Sequence, residues 1–96
     1  MIVSFADAMT EDLFNLKLSG RVLRFPPEVR KRARNKLYLL HAATSLADLQ
    51  AVPGNRLEPL VGDLAGYHSI RINDQWRVVF RWDGKGAKEV RIADYH

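Results

Sequence analysis

The stretch Gly66-Tyr67-His68-Ser69-Ile70-Arg71-Ile72-Asn73-Asp74-Gln75-Trp76-Arg77-Val78-Val79-Phe80-Arg81-Trp82 decides the fold. Its residues alternate on either side of Asn73-Asp74, a turn pair, so it reads as two antiparallel strands joined tightly. In the first strand His68, Ile70 and Ile72 point one way, and Tyr67, Ser69, Arg71 and Asn73 the other. In the second, Trp76, Val78, Phe80 and Trp82 share a face opposite Arg77, Val79 and Arg81. Each strand can bury an apolar face, and each leaves arginines over.

Downstream, Asp83-Gly84-Lys85-Gly86 is a hairpin loop with two glycines. It leads to a strand from Lys88 to Ala93, with Val90 and Ile92 on one side and Glu89 and Arg91 on the other. That strand delivers Asp94, Tyr95 and His96. Upstream, Gly62-Asp63 and Gly66 bracket a turn, and Leu57 to Val61 forms an edge or irregular strand because Pro59 interrupts it. The second half is therefore a four-stranded antiparallel meander.

The first half is helical. Ile2 to Phe5 is a short β-branched run, long enough for a strand. Asp7 or Thr10 offers an N-cap to a short helix whose apolar side is Leu13, Phe14, Leu16 and Leu18, and Ser19-Gly20 ends it. Arg21 to Phe25 connects. Pro26-Pro27-Glu28 starts the main helix, whose apolar stripe is Val29, Ala33, Leu37, Leu40 and Ala43. Ser45 caps a further short helix, Leu46 to Leu49. The turn cluster Val52-Pro53-Gly54-Asn55 separates helix from strand, but neither half can bury its own apolar face. The expectation is one α+β domain, residues 1–96: an N-terminal strand, two to three helices, then the meander, with the helices packed on one face of the sheet.

The totals narrow the function. Ninety-six residues without cysteine can form no disulfide framework and no thiolate metal site, and a reducing compartment, the cytoplasm, is the simplest setting. No apolar run approaches the roughly 20 residues of a membrane helix, and the N-terminus lacks a basic leader, so neither a membrane partner nor a signal peptide is expected. The net charge of +4 favours an anionic partner. Two features concentrate that charge. Arg30, Lys31, Arg32, Arg34 and Lys36 line the main helix, either as a solvated face or as a contact with phosphate or a partner. Arg71, Arg77, Arg81 and Arg91 fall on one solvent-facing sheet surface, an arrangement that repels itself unless an anion or acidic partner offsets it.

His41, His68 and His96 lack metal-ligand spacing. His41 and His68 read as structural, whereas His96 follows Asp94 and Tyr95. Arginine forks hold phosphate, histidine moves protons near neutrality, and an aspartate or tyrosine positions it. These are the parts needed to cleave RNA by attack of its own 2′-hydroxyl on the adjacent phosphorus, with no metal or other cofactor. A frayed chain end is the other reading of Asp94-Tyr95-His96.

At these residues the sequence resembles a known family. Pro53-Gly54-Asn55-Arg56-Leu57-Glu58-Pro59-Leu60, Gly62-Asp63, Gly66 through Arg77 and the terminal Asp94-Tyr95-His96 are similar to the HigB-type toxins, the "killer protein" branch of the RelE/ParE superfamily. The resemblance implies a RelE-like fold and an endoribonuclease that cleaves mRNA on the translating ribosome, contacting mRNA and rRNA. It also implies a cognate helix-turn-helix antitoxin of HigA type, encoded directly downstream, through which operator DNA is reached. It implies that Arg77, Asp94, Tyr95 and His96 are catalytic, with Arg77 at the scissile phosphate. Gln75 falls at a polar RNA-contacting position. Asn73, Arg56, Arg71, Arg81 and Arg91 complete the expected RNA-binding set. The sequence departs from the pattern at two positions: some members carry a phosphate-binding lysine before Gly62-Asp63 and a histidine three residues earlier, where this chain has Val61 and Glu58. Arg56 and Arg71 are candidates to replace the missing charge. The alternative is a binding-type member of the superfamily, which poisons gyrase or a ribosomal site without cleavage or acts only as an antitoxin-binding co-regulator of the operon.

Overall fold

The computed structural model describes residues 1–94. Among these residues, four helices precede an antiparallel four-stranded sheet. The helices are α1 (Ala8–Phe14), α2 (Gly20–Leu23), α3 (Pro27–Ala42) and α4 (Leu46–Gln50). The strands are β1 (Glu58–Pro59), β2 (Tyr67–Arg71), β3 (Trp76–Trp82) and β4 (Ala87–Asp94), in spatial order β1-β2-β3-β4. A single 3₁₀ turn, Gly62–Leu64, links β1 to β2. This is the expected α+β meander with the helices on one face. Ala33, Leu37 and Leu40 of α3 join Ile70, Val78, Phe80 and Val90 of the sheet in one buried cluster. Periods of 3.6 and 2 meet there, so each element buries the face that its sequence pattern marks. No helix among the described residues is long and apolar enough to cross a membrane.

The N-terminal segment forms no full strand. Ile2 bridges Ala87 and Phe5 bridges Val90, both in parallel, with backbone bonds from Val3 N to Ala87 O (2.7 Å) and from Val90 N to Ser4 O (3.1 Å). The interruption lies at Glu89, whose φ of 52° marks a bulge in β4, where the register with β3 shifts. The Ser4 hydroxyl accepts the Glu89 N–H there, and the Thr10 hydroxyl accepts that of Ile92 (2.9 and 3.1 Å). The outer edge of β4 is thus covered rather than left to pair with another chain. Gly86 permits the close approach at its start: a Cβ on it would stand 2.3 Å from the Met1 carbonyl oxygen.

Helix α1 is shorter than its apolar residues suggest. Asp7 caps its start, accepting from Thr10 N at 2.8 Å. It ends at Phe14 in a Schellman arrangement: Lys17 N donates to Asp12 O (2.8 Å) and Leu16 N to Leu13 O (3.3 Å), with Leu16 at φ 62°. Leu16 and Leu18 therefore leave the helix and stand exposed, contrary to their expected place on its apolar side. Ser19 does not end α1. Its hydroxyl accepts from Val22 N and opens α2, inside what reads as a connector. The loop between β3 and β4 closes on Asp83, whose carboxylate accepts from Lys85 N, Gly86 N and Lys88 Nζ. The Lys88 bond, followed by the backbone bond from Lys85, lowers its pKa to about 2.

Candidate active site

The register places the four sheet arginines on one side, as the alternation requires. Arg71 lies opposite Arg77, Tyr67 opposite Arg81, and Val79 opposite Arg91. The surface they make is not open to solvent throughout. Arg77 is only 4% exposed. The chain between β1 and the 3₁₀ turn folds over it, so Leu60 and Leu64 wall a pocket of about 400 Å³ together with Ser69, Arg77, Val79, Arg91 and Asp94. Arg77 Nε donates to Ser69 Oγ at 2.8 Å, and its Nη2 donates to the Arg56 carbonyl at 2.6 Å. Two bonds from different edges of a planar group fix its plane, so the guanidinium is held before any ligand arrives.

The Arg56 carbonyl owes its position to an unusual backbone. Arg56 has φ 45°, the left-handed region, and follows Asn55, which is fully buried. Asn55 Nδ2 donates to Leu49 O at 3.0 Å and its Oδ1 accepts from Lys36 Nζ, while its carbonyl accepts from Arg71 N at 2.6 Å. One residue thus ties α3 and α4 through its side chain, and β2 through its backbone, to the loop that meets Arg77. The contribution of Arg56 to the pocket is its carbonyl, while its side chain is exposed. Burial, then the charges of Arg32 and Arg71, lower the pKa of Lys36.

The other arginines show how the cluster avoids repelling itself. Arg71 pairs with Asp74. Arg81 Nε stands 3.3 Å from Glu89 Oε2, with its guanidinium 4.7 Å from the centre of the Tyr67 ring, and Tyr67 Oη donates to Glu89 Oε1 at 3.1 Å. The chain thus supplies two of the offsetting anions itself, which the expectation of an unbalanced arginine surface did not include. These pairs are exposed and screened, and a polyanion can displace them. Among the described residues Arg91 makes no side-chain ion pair, and it lines the pocket beside Arg77.

Gln75 and Asp94 meet across the start of β3 and the end of β4: Gln75 Nε2 donates to Asp94 Oδ2 at 3.3 Å. Asn73 shapes the turn, its Oδ1 accepting from Gln75 N (2.9 Å) and Trp76 N (2.8 Å). The pocket therefore gathers Arg77, Arg91 and Asp94, with Gln75 at its edge. Arg71 and Arg81 flank it along the sheet, and Asn73 holds the turn. Tyr95 and His96 lie outside the described residues. Three contributors escaped the sequence reading of the site: Ser69, Asn55 and Glu89. Only Ser69 carried a signal, since its parity puts it on the face of Arg77. His41 and His68 are structural, as expected. His41 Nδ1 accepts from Ile2 N at 3.1 Å, and His68 stacks on Phe80.

The chain matches, over residues 3–96, the family described as RelE-like toxin of type II toxin-antitoxin system HigB. It belongs to the HigB-like toxin family. Toxin HigB-1 of Vibrio cholerae is 37% identical over 82 residues, 85% of this chain and 84% of that protein. Endoribonuclease HigB of Proteus vulgaris is 30% identical over the full length of both. Among solved structures, the YoeB/ParE toxin from Agrobacterium tumefaciens superposes with a TM-score of 0.61 at 22% identity, covering 99% of this chain and 98% of that one. The YoeB-YefM complex from Staphylococcus aureus gives 0.62 at 19% identity, covering 100% and 98%. At such identities the structural likeness establishes the RelE-like fold alone, whereas the match to the family makes this HigB-like chain a toxin of a type II toxin-antitoxin system.

The departure at Val61 acquires a geometry. Val61 is 85% exposed, between Leu60 and the 3₁₀ turn, on the loop that walls the pocket. A lysine here is expected to reach the pocket mouth and raise the rate of RNA cleavage several-fold at unchanged stability, because an exposed substitution shifts stability by only about 0.5 kcal/mol. Cleavage rates of Val61→Lys and the parent in a translating extract check this, and equal rates mean that the charge is supplied elsewhere.

Proposed function

We propose that this HigB-like toxin is an endoribonuclease that cleaves mRNA on the translating ribosome and so arrests growth. The observation that carries the reading is the walled pocket in which a pre-oriented Arg77 stands with Arg91 and Asp94. The full-length similarity to the protein named Endoribonuclease HigB supports it. The scissile phosphate sits against the Arg77 guanidinium, which stabilises the charge that builds as the 2′-oxygen attacks phosphorus. His96 and Asp94 move or position the protons: one taken from the 2′-hydroxyl, one given to the departing 5′-oxygen. Tyr95 completes that end of the site. Arg56, Arg71, Arg81 and Arg91 bind the flanking phosphates and rRNA, and Gln75 and Asn73 contact the RNA strand. No metal enters the route. The toxin acts in the cytoplasm, and a helix-turn-helix antitoxin of HigA type neutralises it and carries it to operator DNA.

Mapping of mRNA 5′ ends after induction tests the reading. The parent chain is expected to generate new ends inside translated frames, and a chain ending at Tyr95 to lose them together with growth arrest. Growth arrest by the parent without new ends identifies a binding-type poison instead.

A further inference from the structure

A second concavity lies away from the arginine face, on the helical side of the molecule. The loop after α1 runs beside α3, and between them is a groove of about 550 Å³. Leu16 and Leu18 form its apolar lip, 62% and 65% exposed. Arg30, Arg34 and Tyr38 follow one another at four-residue steps along α3, a single row on the helix surface, with Lys31 beside them. This row adjoins the buried Ala33-Leu37-Leu40 stripe but faces outward. Tyr38 is 41% exposed; its ring meets Phe14 edge-on with centroids 5.5 Å apart. Arg34 Nε donates to Leu13 O at 3.3 Å, so the middle of the row is anchored in place.

Large aliphatic side chains grouped in the open on a small protein mark a contact surface. Their chemistry distinguishes the partner. Nucleic acid is gripped by cations and aromatic platforms, and leucines offer it neither charge nor a ring on which to stack. A protein segment that carries aliphatic side chains between acidic ones matches both halves of the groove. We infer that the groove bounded by Leu16, Leu18 and Tyr38, and rimmed by Arg30, Lys31 and Arg34, is where an acidic amphipathic segment of the antitoxin docks. Its aliphatic residues pack on the two leucines and the tyrosine, and its carboxylates face the three cations. The helices pack on the sheet face opposite Arg77, so this contact leaves the nuclease pocket uncovered. The basic run of α3 is thereby divided: Lys36 serves Asn55, whereas Arg30, Lys31 and Arg34 serve the partner. The inference rests on the toxin-antitoxin reading of the chain.

The test uses the full-length toxin and the purified product of the reading frame directly downstream. Leu18→Glu and Lys31→Glu, alone and together, are titrated with that product by calorimetry, and the RNA cleavage of each variant is measured separately. The expected result is a weakening of about tenfold or more for each substitution and about 100-fold for the pair, with cleavage unchanged. In cells the double variant remains toxic when the downstream gene is co-expressed. Binding equal to that of the parent overturns the docking site. Loss of cleavage with binding intact also overturns it, and makes the groove an RNA surface. A downstream product that does not bind even the parent overturns the partner itself, a failure distinct from that of the site.

Discussion

Arg77→Ala is expected to lower RNA cleavage by about 10²–10³-fold, the usual consequence of removing one fixed donor from a charge-stabilising site. The size of the effect follows from how Arg77 is held. Its Nε–Ser69 Oγ and Nη2–Arg56 O bonds fix the guanidinium at the wall of the pocket. No reorganisation is then needed when negative charge develops on the phosphate, and the low exposure keeps water from screening it. The same bonds mean that Arg77 also supports the fold, and its loss should cost about 1–3 kcal/mol because Ser69 and the Arg56 carbonyl each lose a partner. The two contributions separate experimentally. Single-turnover cleavage in a translating extract, normalised to the folded fraction from urea titration, reads only the chemical one. A normalised rate equal to that of the parent would make Arg77 structural and remove the phosphate clamp from the mechanism. Arg77→Lys keeps the charge but loses the fork, so a rate between those of parent and alanine is expected.

Much of this architecture was legible because two periodicities each ran long enough to be unambiguous. The Ala33-Leu37-Leu40-Ala43 stripe and the alternation through Tyr67–Trp82 mark the faces that are buried. What stayed illegible depends on contacts between elements. Alternation puts Arg77 on the far side of β3 but says nothing of Leu60 and Leu64 closing over it. Lys88 and Glu89 read as ordinary strand, and the bulge that lets Glu89 reach Arg81 and Tyr67 has no local signature such as a glycine. The end of α1 was hidden for a related reason: Leu16 adopts a left-handed conformation that costs a non-glycine residue about 1–2 kcal/mol, so its sequence argued for continued helix. Of the candidate site, Arg77, Arg91 and Asp94 do converge, while Arg56 lies near through its carbonyl rather than its charge. A backbone carbonyl is a group that residue identity cannot reveal.

Asn55→Ala is expected to destabilise the fold by about 2–4 kcal/mol, a large share of the roughly 5–15 kcal/mol typical of a domain. Asparagine has the polar groups required at this point in the core. Its amide donates to the Leu49 carbonyl near the end of α4 and accepts from the Lys36 ammonium of α3. Alanine leaves both groups without that partner: the buried Leu49 carbonyl and the part-buried Lys36 ammonium. Burial and the neighbouring Arg32 and Arg71 already disfavour its charge, as its lowered pKa records, so it depends on the Asn55 oxygen more than a solvated lysine would. At about 4–8 °C per kcal/mol for a chain of this size, the melting temperature should fall by roughly 10–30 °C. Lys36→Met offers the control. It removes the part-buried ammonium and that one bond but keeps the Asn55–Leu49 bond, so it should cost clearly less than Asn55→Ala, which loses both. Thermal melts of both variants check the order. Equal losses would mean that Asn55 acts through Lys36 alone. A melting temperature for Asn55→Ala within a few degrees of the parent would mean that the loop holds its shape without the side chain. The expected loss also reaches the active site. The Asn55 carbonyl receives the Arg71 N–H, and the next residue's carbonyl receives Arg77. When this loop loosens, the guanidinium loses one of its two guides, so the folded fraction of Asn55→Ala should itself cleave RNA more slowly than the parent.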